Sequence, residues 1–371
     1  MKKLSVFIIL ISLFACGKST DVVKVQTQKT AVVLDAYSVA LDHATAFEKS
    51  GFTDQKTYND SVSGFQDILN KDKTNADAWF NLGRLYFYKQ ETQKSEDSIK
   101  KAIMYRGNFV EAYSLLTKLY LSQGNIEYAM SVAERANEVL PENDVIMNNL
   151  AILYIKSGEF GSARKIAEDI IRKNTKFAPA YVTLGNIYYL NYKYEMARFI
   201  YQKAIEQDYN SGDVYTNIGI ITSRLDDKKN SIGFFTSAVE KSPGNPEARN
   251  NLGEYYLSVG DYEGALKEFN EALRLNPKMV QAMINLAIAY TRVKLLDEAE
   301  QNYKKAMSLD PSFAELYFNY GVFLSDHRGD NTQALSFFNK FILLKGKEIS
   351  DKHRVYRYIK EINQGQKTTG N

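Results

Sequence analysis

The sequence predicts an all-helical solenoid in which helical hairpins stack along the chain. Three observations carry that expectation. A pattern recurs every 34 residues, without gap or insertion, in units that begin at Ala76, Val110, Asp144, Ala178, Gly212, Pro246 and Val280. Small residues recur at fixed places in it: Gly83, Ala151, Gly185, Gly219, Gly253 and Ala287 in the first half, then Ala129, Ala163, Ala197, Ala265 and Ala299 in the second. Two helices approach closely only where a side chain is nearly absent. Residues that end helices also recur, with Gly124, Gly158 and Gly260 between the halves and Pro141, Pro243, Pro277 and Pro311 at the unit's exit.

The chain opens with MKKLSVFIILISLFAC. Lys2 and Lys3 are followed by an apolar run of 11 residues, Leu4 to Phe14. A membrane-spanning helix needs about 20 residues, so the run fits the core of a signal peptide over 1–15. Residues 16–30 carry no helical period and read as a tether. Residues 31–75 form a first hairpin with degenerate spacing, as a terminal repeat should, since one of its faces has no neighbour. Leu34, Tyr37, Leu41 and Ala44 mark its first helix; Tyr58, Ser61, Phe65 and Ile68 mark its second.

Eight units follow over 76–347. The best of them, Pro246–Met279, reads PEARNNLGEYYLSVGDYEGALKEFNEALRLNPKM. Large residues fill the layers between the small columns, as Tyr86, Tyr120, Tyr154, Tyr188, Tyr256 and Tyr290 do. The unit at Val110 departs by placing Thr117 in the small column. The final unit has one extra residue near His327–Asp330, then Ala334 and Phe338. Val355, Tyr358, Ile359 and Ile362 share one helical face, which predicts a capping helix over 348–363. A disordered tail is expected over 364–371.

Leu252-Gly253, Tyr256, Ala265, Phe269, Ala272 and Pro277 together resemble the tetratricopeptide repeat. The resemblance covers nearly the whole chain. It implies a right-handed superhelix of about nine helical hairpins, with the first helix of each pair lining a concave face. On that face it places a column of Asn81, Asn149, Asn217, Asn251, Asn285 and Asn319, with Leu115 and Thr183 in the two remaining places. Amides in a row offer donors and acceptors to the backbone of an extended peptide. Apolar neighbours, among them Phe80, Ile152, Tyr189, Ile220, Ile284, Ile288 and Phe318, would make the groove suited to a partner helix or extended segment. Some relatives grip acidic C-termini with Lys, Asn and Arg. Here Asp77, Glu111, Asp213, Glu247 and Glu315 stand in such columns, so that clamp is not expected.

Leu13-Phe14-Ala15-Cys16 resembles a bacterial lipobox. The resemblance implies cleavage before Cys16 and lipid on its sulfur. With Gly17 rather than an acidic residue next, it implies the outer membrane, facing the periplasm. Cys16 is the only cysteine, so no disulfide forms within the chain. Repeats behind a lipobox also resemble gliding-motility lipoproteins, and second the pilotins that help assemble pilus secretins. Both imply protein partners in the cell envelope, and a regulator of cell-wall enzymes is a third reading.

The remaining composition narrows the function. Net charge is +3, and removal of Lys2 and Lys3 leaves about +1 on formal charges, which offers nothing to nucleic acid. His43, His327 and His353 stand far apart, so no metal is expected. No phosphate-binding glycine loop, GxSxG or isolated carboxylate pair is present, so neither a cofactor nor catalysis is expected. The function expected is binding.

Overall fold

The computed structural model describes residues 31–225, 227–346, 349–350 and 352–365. The expected signal peptide, Cys16, the tether and most of the expected tail lie outside them. Every regular element among the described residues is a helix. Two helices come first, α1 (Ala31–Lys49) and α2 (Gln55–Lys71). The hairpins that follow to Tyr209 are α3 (Ala76–Tyr88) with α4 (Thr92–Tyr105), α5 (Val110–Ser122) with α6 (Ile126–Val139), α7 (Asp144–Lys156) with α8 (Phe160–Lys173), and α9 (Ala178–Leu190) with α10 (Tyr194–Glu206). After Asn210 come α11 (Gly212–Arg224) with α12 (Lys228–Lys241), α13 (Pro246–Val259) with α14 (Tyr262–Leu275), α15 (Val280–Arg292) with α16 (Leu296–Leu309), and α17 (Ala314–Phe323) with α18 (Asn331–Lys345). The last helix is α19 (Arg354–Asn363). The all-α hairpin fold is therefore as the repeat predicts. Met1–Tyr209 and Asn210–Asn371 form separate compact units.

The glycine column works by contact. A Cβ on Gly185 would sit 2.6 Å from Tyr201, and one on Gly253 would sit 2.6 Å from Phe269. Gly83 faces Ile99, Gly219 faces Phe235 and Gly321 faces Phe338 in the same way. Each glycine thus receives a large side chain from the second helix of its own hairpin. The exception at Thr117 becomes intelligible here: the equivalent second-helix place holds Ala133, and where Ala151 replaces glycine it holds Ala167. At these two hairpins a small second-helix residue leaves room for the larger first-helix one, whereas Ala287 keeps Tyr303 in the opposite column.

Six of the hairpin turns hold a residue in the left-handed region at one place. Gly124, Gly158 and Gly260 supply it with φ of 74°, 83° and 86°. Gln90, Tyr192 and Lys294 occupy the same place at φ of 61°, 59° and 66°, although L side chains resist it. The backbone conformation follows from the packing of the hairpin, not from the residue at the turn.

In the unit from Asn210, the extra residue of the last repeat is absorbed as a π-helical turn, Leu324–Arg328, which ends at Gly329 with φ 67°. The insertion therefore leaves Phe338 opposite Gly321. The capping helix starts at Arg354, later than 348. His353 caps it through Nδ1, which accepts from the Val355 amide at 3.2 Å. Val355 and Tyr358 are buried on the last repeat's core, and the Tyr358 hydroxyl donates to Asp326 Oδ2 at 2.8 Å.

Candidate functional site

The second, sixth and ninth residues of each first helix fall on one stripe, because those spacings are close to whole turns. Between Ala31 and Tyr209 two charges on this stripe, Asp77 and Arg84, are paired within the chain, while Glu111 is exposed. Asp77, 5% exposed, forms a two-point ion pair with Arg106, whose Nη1 donates to Oδ1 at 2.8 Å. Arg84 pairs with Glu48 of α1. Burial pushes the Glu48 carboxyl up and Arg84 opposes the shift. Lys118 lies 5.4 Å from the Phe87 ring centre, and burial lowers the Lys156 pKa.

The Asn column turns out to be a seam between successive first helices. Asn81 Nδ2 donates to the Tyr37 hydroxyl at 3.0 Å and to the Asp77 carbonyl at 2.9 Å. Asn149 Nδ2 donates to Ser114 Oγ at 2.9 Å. Beyond Asn210, Asn285 Nδ2 donates to Asn250 Oδ1 at 2.9 Å and to Glu254 Oε1 at 2.7 Å. Asn319 Nδ2 donates to the carbonyl of Glu315 at 2.8 Å. Asn81, Asn149, Asn217, Asn251 and Asn285 are all at or below 6% exposed. The expectation that this column holds a partner's backbone is thus corrected for Asn81, Asn149 and Asn285. Three of its six donors tie successive repeats together, which removes the cost of burying them. Asn251 differs: its Nδ2 is buried with no hydrogen-bond partner.

The apolar candidates divide similarly. Phe80, Ile152, Tyr189 and Ile284 are 5%, 2%, 5% and 0% exposed and belong to the packed interior, which corrects their place in a groove. The Phe80 ring centre, for example, lies 4.9 Å from that of Phe109. The Tyr189 ring likewise packs 5.6 Å from that of Tyr194 in its own hairpin, so these side chains serve packing within and between repeats. Phe318 is partly exposed but packs on Phe341, His353 and Tyr358 under the capping helix. Ile220 and Ile288 remain partly open.

Between Ile220 and Ile288 in the same column stands Glu254. It accepts from Asn285 and, at 3.0 Å, from Asn250 Nδ2. Burial raises its pKa, and the two amide bonds oppose that shift. Asp213, in the first turn of α11, is raised chiefly by burial and further by the Glu247 carboxylate, while Asn245 opposes the shift from 3.4 Å. Sequence reasoning used Asp213 and Glu247 only to exclude a clamp, and it missed Glu254. Its signal was a lone carboxylate in a column otherwise filled by Arg84, Lys118, Ile152, Asn186, Ile220, Ile288 and Val322. Among the described residues no group of three His, Cys, Asp or Glu is placed to hold a metal ion.

Family models described as the tetratricopeptide repeat match residues 76–109, 120–185, 178–211, 232–279, 250–312 and 302–336. The chain is a tetratricopeptide-repeat protein. Tetratricopeptide repeat protein 8 of Caenorhabditis elegans is 24% identical over 159 residues, 43% of this chain and 30% of the relative. BBSome complex member BBS4 of Bos taurus is 24% identical over 140 residues, 38% of this chain and 27% of the relative. The chain thus spans less than a third of the length of these curated relatives. Among solved structures, a chain of the APC/C hetero-tetramer Cut9-Hcn1 superposes with a TM-score of 0.63 at 15% identity, over 88% of this chain and 68% of the other. That likeness, to a structure so distant in sequence, concerns the fold alone.

Proposed function

We propose that this tetratricopeptide-repeat protein is a non-enzymatic scaffold of a bacterial cell envelope, anchored by lipid at Cys16 and holding a partner protein against its first helices. The observation that carries the reading is the sole cysteine of the chain placed directly after a short apolar run, behind two lysines. A lone thiol there serves no disulfide, whereas attached acyl chains add about 0.8 kcal/mol of membrane affinity per buried methylene. The repeats supply the other half, since the fold presents first-helix side chains rather than a reaction centre. Gly17 after Cys16 favours the outer membrane, facing the periplasm.

Two measurements test the proposal in its native bacterium. Wild-type chain takes up a clickable fatty acid and sediments with membranes; Cys16→Ser does neither. Labelling that survives Cys16→Ser defeats the anchor. For the scaffold, partly exposed Ile220 and Ile288 are changed together to Asp. Recovery of envelope proteins with the tagged chain falls, and unchanged recovery refutes the face. Among envelope machines we favour a gliding-motility apparatus, for which a long uninterrupted array behind a lipobox is the argument. A deletion strain then loses colony spreading. Normal spreading with lost secretin multimers favours pilus assembly instead, and altered cell-wall composition alone favours control of wall enzymes.

A further inference from the structure

We propose that the unit from Asn210 docks a cationic, extended protein segment on the stripe formed by Asp213, Glu247 and Glu254, a reading that rests on the scaffold function above. The argument begins with charge. On the first helices before Tyr209, Asp77 and Arg84 are neutralised by ion pairs within the chain, and Glu111 stands exposed to water rather than partly buried. At the far end of the second unit, Glu315 is likewise paired, with Lys345 Nζ at 2.6 Å. Asp213, Glu247 and Glu254 are different: among the described residues none has a cation within ion-pair distance. Their hydrogen bonds come from neutral amides only, Asn245 to Asp213 and Asn250 with Asn285 to Glu254. Asp213 and Glu247 repel each other as well. Carboxylates held together, partly desolvated and without a counter-charge gain strongly from an incoming ammonium or guanidinium group.

Asn251 supplies an independent observation. It stands on α13 between Glu247, one turn before it, and Glu254, one turn after it. It is 5% exposed, and its Nδ2 is the unpartnered amide of the column. An orphaned buried donor is uncommon in a native fold and calls for an explanation. A carbonyl from a partner's main chain would satisfy it, while a Lys or Arg of the same segment meets the flanking carboxylates. Ile220 and Ile288, on either side of Glu254 in its column, offer apolar contact for the stem of such a side chain. The arrangement has opposite polarity to a clamp for acidic C-termini.

The test uses the full chain and two synthetic decapeptides, one of alternating Lys and Ala, one of alternating Glu and Ala, read by fluorescence anisotropy at low salt. The Lys peptide binds and the Glu peptide does not. The triple variant D213N/E247Q/E254Q, with its fold checked by circular dichroism, weakens Lys-peptide binding by about tenfold or more. A control, E240Q/E263Q/E298Q, removes the same charge from exposed sites on second helices and leaves binding within about twofold. Equal loss in both variants means general attraction and overturns the site, as does binding of both peptides alike. If the triple variant does not fold, E247Q alone is expected to weaken binding, and no change there overturns the proposal. Loss of this proposal with Ile220 and Ile288 still needed for envelope partners leaves the scaffold standing; loss of both refutes the face itself.

Discussion

Gly253→Ala probes the column on which the hairpins depend. The added methyl would lie 2.6 Å from Phe269 Cε1, 2.8 Å from Cδ1 and 3.1 Å from Cζ. Phe269 is 0% exposed, so its ring is enclosed and has no open space to turn into. Overpacking of this kind costs about 1–3 kcal/mol. Alanine's helix propensity returns about 1 kcal/mol. The net expectation is destabilisation by about 0–2 kcal/mol, the difference of those terms. Urea unfolding followed by helical circular dichroism measures it. Gly233→Ala is the internal control: Gly233 lies on α12 and an added Cβ meets nothing within 4 Å. There the propensity gain stands alone, and stabilisation by about 1 kcal/mol is expected. A second arm combines Gly253→Ala with Phe269→Leu, and the double variant should be more stable than the sum of the single changes implies. If Gly253→Ala matches Gly233→Ala in sign, the reasoning that close approach selects glycine is refuted.

Three further outcomes follow from the same structure. Lys294→Gly relieves an exposed residue held at φ 66° and is expected to stabilise by about 0.5–1 kcal/mol in urea unfolding, whereas the same change at a residue with ordinary φ destabilises. Glu254→Gln removes a carboxylate whose folded pKa is raised by burial. Such a group binds its proton more tightly when folded, so stability falls as pH climbs from the ordinary value of 4.5 through the folded value; the variant should melt higher than wild type at pH 7, and the gap should close below 4.5. Asp77→Ala strands Arg106, whose side chain is 34% exposed against 6% for Asp77; a loss of about 2 kcal/mol is expected, and a thermal melt unchanged from wild type contradicts the ion pair's role.

Much of the fold was legible because a repeat shows the same physical requirement several times. One glycine in a helix is ambiguous, but Gly185, Gly219 and Gly253 at equal spacing name a close contact, and the structure puts Tyr201, Phe235 and Phe269 against them. The candidate site was far less legible. Asn149 and Asn285 look alike in sequence to Asn251, yet the first two give their donors to neighbouring helices and the third does not. Phe80 and Ile220 both read as groove residues, and only one remains partly open. Column membership places a residue on a face; it does not say how far the next helix covers it.

Composition and spacing by themselves determined the helical hairpins, their period, the irregular last repeat and the capping helix, because each depends on contacts at short sequence separation that every unit repeats. Tertiary structure decided what the period could not express. It showed that Thr117 is tolerated beside a small partner column, that an extra residue near His327 becomes a π-turn, and that the Asn column is in part a seam. It also left Asp213, Glu247 and Glu254 without cations while pairing Asp77 and Glu315. Charge pairing and burial depend on which side chains the neighbouring repeats bring within a few ångströms, and that is a property of the packed chain.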